Sequence, residues 1–150
     1  MFAQTAITRN SYKMSIDKIM SKKVVCVGID DRLAVVRELF IRHKFHHLLV
    51  VNKDGELMGV ISDRDYFKAT TPNVDMPAAD KKDLATLDKR VHQILNRKLI
   101  AVNQGASLKT AITTFKQFKI SCLPVVDNKN HPVGVITWRD LINWLYTKVS

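Results

Sequence analysis

The segment Gly59–Asp65 reads GVISDRD, and Gly134–Asp140 reads GVITWRD. These two stretches lie 75 residues apart, and the same offset aligns residues 19–67 with residues 94–142 without a gap. Of the 49 aligned pairs, 14 are identical, and nine of the others exchange one apolar residue for another. A gapless match of this length predicts two copies of one structural unit.

Each copy is predicted to contain a β-α-β-β-α sequence of elements. Apolar residues recur at helical spacing after Leu33 and after Leu108, and β-branched runs bounded by turn residues predict the strands. Asp30 or Asp31 is the expected N-cap of the first helix. The first copy has predicted strands at Val24–Val27, His47–Val51 and Leu57–Ile61, with helices at Leu33–Lys44 and from Ser62. The second has predicted strands at Leu99–Val102, Cys122–Val126 and Val133–Ile136, with helices at Leu108–Phe118 and Thr137–Thr147.

A polar, proline-containing stretch separates the copies and predicts an exposed loop, followed by a helix-like pattern over Asp83–Leu95. Each copy is too small to cover its own sheet. The expected fold class is therefore α+β, with two β-α-β-β-α repeats packed about a pseudo-twofold axis. The predicted boundaries are an N-terminal arm at 1–14, repeats at 15–69 and 89–150, and a linker at 70–88.

Composition places the chain among ordinary globular proteins. Its 150 residues are 46% hydrophobic and 25% charged, with a formal net charge of +10. This charge favours anionic partners, although a solvated basic surface explains it equally well. No apolar run has the length of a membrane span, and the N-terminus has no signal-peptide pattern. Cys26 and Cys122 form no C-x-x-C pair, so we expect reduced core thiols and a cytoplasmic location.

Motifs for catalysis and for metal binding are missing from the sequence. It contains no nucleophile elbow, P-loop or glycine-rich dinucleotide loop, so we do not expect an enzyme. His43, His46 and His47 form a cluster without a Cys, Asp or Glu at metal-ligand spacing, so no metal site is predicted. Direct nucleic-acid binding is supported by charge alone and is a minor alternative.

The repeated pattern resembles the CBS domain, named after cystathionine β-synthase. The resemblance rests on an H-L-(L/P)-V-V-(D/N) strand, a turn and G-V-I-(S/T)-x-x-D, and it covers Ser15–Lys148 in tandem. Tandem CBS domains, called Bateman modules, imply a regulatory sensor of adenosine derivatives such as AMP, ADP, ATP or S-adenosylmethionine, with NADH a further option. No permanently bound cofactor is implied. Leu49 departs from the pattern because the second copy has Pro124 at the matching position.

The resemblance also implies two ligand clefts, each mixing residues of both copies. Each takes the first strand and the start of the second strand from one copy and the (S/T)-x-x-D segment from the other. One cleft would use Val25, Phe45 and His46 with Thr137, Arg139 and Asp140, and the other would use Ile100, Ile120 and Ser121 with Ser62, Arg64 and Asp65.

These residue types suit a nucleotide. A carboxylate such as Asp65 or Asp140 can accept hydrogen bonds from the two ribose hydroxyls, while hydroxyl groups and arginines suit phosphate and the apolar side chains suit adenine. The same S/T-x-x-D spacing is that of a helix capping box, so a purely structural role is the competing interpretation. His46 is matched by Ser121, which favours the cleft containing Asp140 for phosphate. Trp138 could stack on a base or pack against protein.

Two further expectations concern partners. Phe40 and Phe115, together with Leu141, Trp144 and Leu145 of the last helix, exceed the apolar surface that one small unit needs, so a homodimer is expected. A regulated partner protein is also implied, but the sequence does not identify it. The main alternative to ligand sensing is a structural or protein-interaction module with empty clefts.

Overall fold

The structure is a computed structural model that describes residues 10–96 and 98–150. Residues 1–9 of the predicted arm (1–14) and Arg97 lie outside the described residues. No helix in the described segments is long and apolar enough to cross a membrane.

The chain divides into two compact units. The first-repeat unit comprises Val25–Leu99, and the second-repeat unit comprises Ile100–Ser150 together with the described residues up to Val24. Each unit has helices packed on a three-stranded sheet, so the predicted α+β class and the two repeats are confirmed.

The first-repeat unit follows the predicted order of elements. In its sheet, β1 runs parallel to β2, and β2 runs antiparallel to β3. Its elements are β1 (Cys26–Gly28), α1 (Leu33–His43), β2 (His47–Val51), β3 (Leu57–Ser62), α2 (Asp63–Ala69), α3 (Lys81–Ala85) and α4 (Val91–Ile94). Apolar side chains from β2, α1 and α4, among them the fully buried Leu48, Leu33 and Val91, form its core.

The second-repeat unit has the same topology. Its elements are β4 (Val102–Asn103), α5 (Leu108–Gln117), β5 (Cys122–Val126), β6 (Pro132–Thr137) and α6 (Trp138–Val149). Two short 3₁₀ turns, Ser11–Lys13 and Ile16–Lys18, precede them in the chain. The buried Ile16 joins Leu108 and Leu123 in the core.

The turn between the second and third strands is duplicated in detail. In the first-repeat unit, Asn52 Oδ1 accepts hydrogen bonds from the backbone N–H groups of Asp54 (3.0 Å) and Glu56 (2.9 Å). Asp127 Oδ1 does the same at the matching position in the second. Gly55 has φ +78°, and its counterpart Asn130 has φ +64°. Gly and Asn are the residues that tolerate this left-handed conformation, so the predicted turns form as expected.

The start of α1 differs from the sequence expectation. Asp31 does not cap the helix: its Oδ2 accepts a hydrogen bond from Gly28 N at 2.7 Å. The N-cap residue is Arg32, without a side-chain cap. The first helical amide, Leu33 N, instead donates to Lys89 O at 2.9 Å. A backbone group distant in sequence therefore satisfies the helix end.

Most residues of the segment between the copies are exposed, as predicted, but part of the segment is held in place. Val74 is buried and Arg37 pairs with Asp75, which fixes the loop on the first-repeat unit. The helix-like pattern over 83–95 is interrupted, because Lys89 and Arg90 have extended ψ values near 150°. In that conformation the chain forms a β-bridge between Arg32 and Arg90, which a continuous helix could not make.

The repeats in sequence and the compact units in space divide the chain differently. Residues up to Val24 precede the first copy's sheet but belong to the second-repeat unit, where Leu108 N donates to Met14 O at 2.8 Å. The segment before β4 belongs to the first-repeat unit, where Lys89 O accepts the matching hydrogen bond from Leu33 N. The segment that precedes the first copy therefore completes the second-repeat unit, and the segment that precedes the second copy completes the first-repeat unit.

A glycine in each third strand allows these segments to approach the sheet closely. A Cβ added at Gly59 would lie 2.7 Å from Leu95 Cδ1, and one added at Gly134 would lie 2.5 Å from Met20 Sδ. Both contacts are shorter than real Cβ atoms make. Packing therefore favours the glycine of each G-V-I motif, whatever its role at a ligand site.

Candidate ligand-binding site

Each unit contains a reciprocal cap at the junction of its third strand and the following helix. Ser62 N donates to Asp65 Oδ2 (2.8 Å), and Asp65 N donates to Ser62 Oγ (3.1 Å). In the second-repeat unit, Thr137 N donates to Asp140 Oδ2 at 2.8 Å, and Asp140 N donates to Thr137 Oγ1 at 3.4 Å. The capping interpretation of the S/T-x-x-D spacing is therefore correct in both copies.

The caps leave part of each carboxylate available. The Ser62 and Thr137 hydroxyls also donate to Oδ2, so this oxygen accepts two hydrogen bonds in Asp65 and in Asp140. Within residues 10–96 and 98–150, Oδ1 of either carboxylate has no hydrogen bond. A ribose contact is thus limited to Oδ1, which can accept from two hydroxyls through its two lone pairs.

The two arginines of the repeated segments are exposed. Arg64 and Arg139 follow the cap residues by two positions, and neither forms an ion pair within the described part of the chain. Their guanidinium groups are therefore accessible to an anion.

His46 already has an anionic neighbour in its own unit. Its Nδ1 lies 2.8 Å from Oδ2 of Asp63, the first residue of α2. An ionised carboxylate only accepts hydrogen bonds, so Nδ1 carries the hydrogen and Nε2 faces away from the pair. The pairing follows from the strand register, because His47 lies opposite Ser62. His46 was predicted to face phosphate, and this partner in its own unit was not predicted.

The matching position in the second-repeat unit carries no charge. Trp138 replaces Asp63, and its Nε1 donates to Ile120 O at 3.2 Å. The indole also packs on Phe115, with ring centroids 5.0 Å apart, and remains 49% exposed. Both sequence-based options for Trp138 remain, because one part of the ring packs against protein and another is accessible. Ser121, the counterpart of His46, is exposed.

The predicted adenine-contacting side chains are half-buried in their own units. Val25 packs on the core of the first-repeat unit, and Ile100 and Ile120 pack on that of the second. Phe45 stacks on His43 with ring centroids 5.7 Å apart and nearly parallel planes. Within each unit, the start of the second strand lies beside the end of the third. Each predicted cleft combines residues of both units, so the formation of the two clefts remains a prediction.

Burial favours the uncharged form of the side chain that begins each second strand. Desolvation lowers the pKa of His47, and it raises the pKa of its counterpart Cys122 to about 12, with a smaller contribution from the nearby Asp140. Both shifts favour the uncharged form. Cys122 is a buried free thiol as expected, whereas Cys26 is exposed, so its assignment to the core was wrong. No group of three metal-ligating side chains occurs among the described residues.

An apolar groove between α5 and α6 has a volume of about 280 Å³. Its walls are Tyr12, Ile112, Phe115, Trp138, Leu141, Ile142, Trp144 and Leu145. Part of this surface was predicted from the sequence, but two of the predicted residues pack in or against the cores of their units. Phe115 is only 4% exposed and belongs to the core, and Phe40 packs on Tyr66 at a centroid distance of 6.3 Å. The exposed apolar side chains of α6 are Trp138, Ile142, Leu145, Tyr146 and Val149.

A comparison with protein-family models matches the CBS domain twice, at residues 16–71 and 91–147. The chain belongs to the CBS-domain family. Among its relatives, a CBS domain-containing protein of Dictyostelium discoideum is 28% identical and is matched over 92% of its length by 89% of this chain. Homoserine O-acetyltransferase of Methanocorpusculum labreanum is 29% identical, but 85% of this chain matches only 23% of that enzyme.

Solved CBS structures share the fold. The CBS domain pair of protein MJ0100, in complex with 5′-methylthioadenosine and S-adenosylmethionine, has a TM-score of 0.71 at 24% identity, over 90% of this chain and 98% of that one. Protein MJ1225 of Methanocaldococcus jannaschii, proposed to be an archaeal homolog of γ-AMPK, has a TM-score of 0.74 at 25% identity, over 89% and 48%. The ATP complex of the cytosolic domain of the Mg²⁺ channel MgtE has a TM-score of 0.70 at 22% identity, over 90% and 50%.

Proposed function

We propose that this protein is a regulatory module that binds adenosine derivatives between its CBS repeats and is not itself an enzyme. The observation that carries the proposal is the duplicated cap, in which Asp65 and Asp140 each use one carboxylate oxygen structurally and leave the other open. A cap holds the carboxylate in a fixed orientation, so a ligand hydroxyl meets an acceptor that is already ordered.

The proposed contacts divide the ligand into three parts. Oδ1 of Asp65 or Asp140 accepts from the ribose, and the exposed Arg64 and Arg139 interact with phosphate. The half-buried aliphatic side chains Val25, Ile100 and Ile120, with Phe45, contact the adenine ring. Ser62, Thr137, Ser121 and His46 complete the proposed set. The ligands of the MJ0100 and MgtE structures, two adenosyl compounds and ATP, support adenosine as the common element.

A thermal-shift panel tests this proposal. The protein is heated with AMP, ADP, ATP, S-adenosylmethionine, 5′-methylthioadenosine or NADH, and GMP and inorganic phosphate serve as controls. A ligand at 100 times its dissociation constant adds about 2.7 kcal/mol to the free energy of unfolding. We expect at least one adenosine compound to raise the melting temperature and inorganic phosphate not to do so. If millimolar concentrations of all six adenosine compounds leave the melting temperature unchanged, the proposal is wrong.

A protein-interaction module is the second candidate, and the exposed apolar face of α6 favours it. We propose that this face pairs two copies of the chain into a homodimer and that the dimer acts on a partner protein. Light scattering would then give about twice the chain mass of 17.1 kDa, whereas a mass of 17.1 kDa would contradict the dimer. We also propose a cytoplasmic location, where the free thiols Cys26 and Cys122 would stay reduced.

Direct nucleic-acid binding remains the weakest proposal, because only the net charge of +10 supports it. A gel-shift series at increasing salt concentration tests it, since phosphate contacts lose affinity steeply with salt.

A further inference from the structure

The open apolar groove of the second-repeat unit corresponds to a covered face of the first-repeat unit. Among the described residues, Tyr12 is the only wall residue of the groove that lies outside α5 and α6. By the 75-residue offset, the wall residues Ile112 and Leu141 match Arg37 and Tyr66. The surroundings of Arg37 and Tyr66 therefore show what covers this face in the other copy.

An acidic part of the linker covers the face in the first-repeat unit. Arg37 Nε donates to Asp75 Oδ1. Burial raises the pKa of the Tyr66 hydroxyl, and the nearby Asp75 adds to this shift, so Asp75 faces α2 as well as α1. The preceding residue, Val74, is only 5% exposed. The covering segment thus combines a buried apolar side chain with a neighbouring carboxylate.

Lysines flank the open groove of the second-repeat unit. Lys109 and Lys116 lie three residues before and four residues after Ile112, which places them on its side of α5. Lys148 lies one turn after a wall residue of α6. All three are exposed, and none forms an ion pair within the described part of the chain. α5 has no acidic residue, and the only one in α6, Asp140, is held in its cap, so the rim is cationic.

The charge of this rim distinguishes between possible occupants. A second copy that presented the same groove would bring lysines against lysines, which opposes pairing. Residues 1–9 contain no acidic residue, so their charge does not complement the rim. A segment with apolar and acidic side chains complements both the walls and the rim. The linker has this chemistry on the matching face of the first-repeat unit.

We propose that the groove between α5 and α6 binds a segment of a partner protein in which an apolar side chain lies next to a carboxylate. The apolar side chain contacts the walls, and Lys109 and Lys116 interact with the carboxylate. The inference rests on the second proposed function, in which the protein acts on a partner, and it states the chemistry of the partner's segment. Tyr146 and Val149 of the face proposed for the homodimer lie outside the groove walls.

A peptide with the sequence of the linker is the probe for this groove. The peptide, TPNVDMPAAD, corresponds to residues 71–80 and contains neither tryptophan nor tyrosine. The chain has two tryptophans, Trp138 and Trp144, and both line the groove. Tryptophan fluorescence of the full chain therefore reports the occupancy of the groove while the peptide is added.

Two control peptides separate the contribution of charge from that of apolar contact. One carries Asp75→Asn and Asp80→Asn, and the other carries Val74→Ser and Met76→Ser. Neither control alters the protein, so a loss of binding cannot result from misfolding.

A matched pair of chain variants locates the binding site. The test variant carries Lys109→Gln and Lys116→Gln on α5. The control variant carries Lys53→Gln and Lys129→Gln, which remove the same charge from the exposed turns of the two units. Glutamine and lysine have similar helix propensities, so the test variant should keep its helix.

We expect the linker peptide to change the fluorescence of the wild-type chain saturably at concentrations up to about 1 mM. Raising the NaCl concentration from about 50 mM to about 500 mM should weaken binding at least about threefold, because salt screens exposed charges. Both control peptides should bind at least about fivefold more weakly. The Lys109 and Lys116 variant should bind the linker peptide about fivefold to tenfold more weakly, as expected for two exposed ion pairs, and the turn variant should change by less than about twofold.

Three results would overturn the inference: no saturable change with the linker peptide, equal affinity for its asparagine version, or equal weakening in the two chain variants. Light scattering of the same samples keeps this test separate from the proposed function. If the peptide fails to bind while the mass is twice 17.1 kDa, only this inference is wrong. If the mass is 17.1 kDa and the peptide binds as expected, the homodimer is wrong and this inference stands.

Discussion

The two compact units share the main features of their backbone hydrogen bonding but differ in the side chains where the second strand begins and the third strand ends. Both have the same strand register, the same turn around Asn52 or Asp127, and the same reciprocal cap. They differ where His46 pairs with Asp63, because the second-repeat unit has Ser121 and Trp138 there. The register, the turns and the caps are therefore shared by two copies that are identical at only 14 of 49 aligned positions, and one of the differences changes the charge beside the cap.

The largest expected effect tests the equivalence of the two cores. Leu48 and Leu123 occupy matching positions and are both fully buried. Truncation of either to alanine should lower the free energy of unfolding by about 2–5 kcal/mol, through lost burial and the cavity left behind. Urea titration measures both variants, with Ile142→Ala on the exposed face of α6 as a control that should cost much less. Costs that differ by more than about 2 kcal/mol would contradict equivalent cores.

A smaller effect is expected from Gly59 and Gly134, the third-strand glycines against which the segments before the repeats pack. Gly134→Ala should cost about 1–3 kcal/mol, because the new Cβ meets Met20 and the backbone oxygen of Ser21. Gly59→Ala should have a similar cost, because its new Cβ meets Leu95 and the backbone oxygen of Asn96. Adding Met20→Ala to Gly134→Ala should give a total below the sum of the single costs. Strictly additive costs would show that Met20 does not cause the strain.

The caps provide the next comparison. Ser62→Ala and Thr137→Ala should each lower the free energy of unfolding by about 0.5–2 kcal/mol through loss of the hydrogen bond to the N3 amide. Thr113→Ala on α5 is the control, because the Thr113 side chain is exposed and has no hydrogen bond within the described part of the chain. If either cap variant matches this control, that cap does not stabilise its helix.

The smallest effect concerns pH and distinguishes the units. Burial lowers the pKa of His47 below 6.5, so its neutral form is favoured in the folded state. The stabilising contribution is therefore complete above about pH 6.5 and is lost as the pH falls through the lowered pKa. His47→Gln should reduce the loss of stability between pH 7.5 and pH 5.5 in urea titrations. Cys122→Ser in the second-repeat unit should not, because that thiol stays protonated throughout this range. An unchanged pH profile in His47→Gln would contradict the assignment.

The sequence predicted the features that depend on local patterns and on the repeat. The 75-residue offset identified the strands and the turns, and the S/T-x-x-D spacing predicted both caps. These predictions are confirmed because each feature depends on residues that lie within a few positions of one another. The family resemblance added an expectation of adenosine binding, which residue patterns alone could not provide.

The features that sequence analysis missed depend on contacts between distant segments. Asp31 was a reasonable N-cap, but Lys89 supplies the acceptor for the start of α1. The pairing of His46 with Asp63 depends on strand register, which could have been inferred from the turn length. Phe115 was expected at a surface, but Trp138 packs on it and the core encloses it. Which apolar residues remain exposed is decided by tertiary packing.

The central claim is that the duplicated aspartates bind ribose in addition to capping a helix. Calorimetric titration of AMP into Asp140→Ala, Asp65→Ala and the control Asp30→Ala tests it most directly, with the free energy of unfolding of each variant measured in parallel. Asp140→Ala should weaken AMP binding by about tenfold to a hundredfold, from the loss of about 1.5–3 kcal/mol, and Asp140→Asn should weaken it less. Asp30→Ala should leave it unchanged. Unchanged affinity in both aspartate variants, with only the stability loss of a missing cap, would contradict the account, and weakened AMP binding in Asp65→Ala alone would reverse the ranking of the two segments.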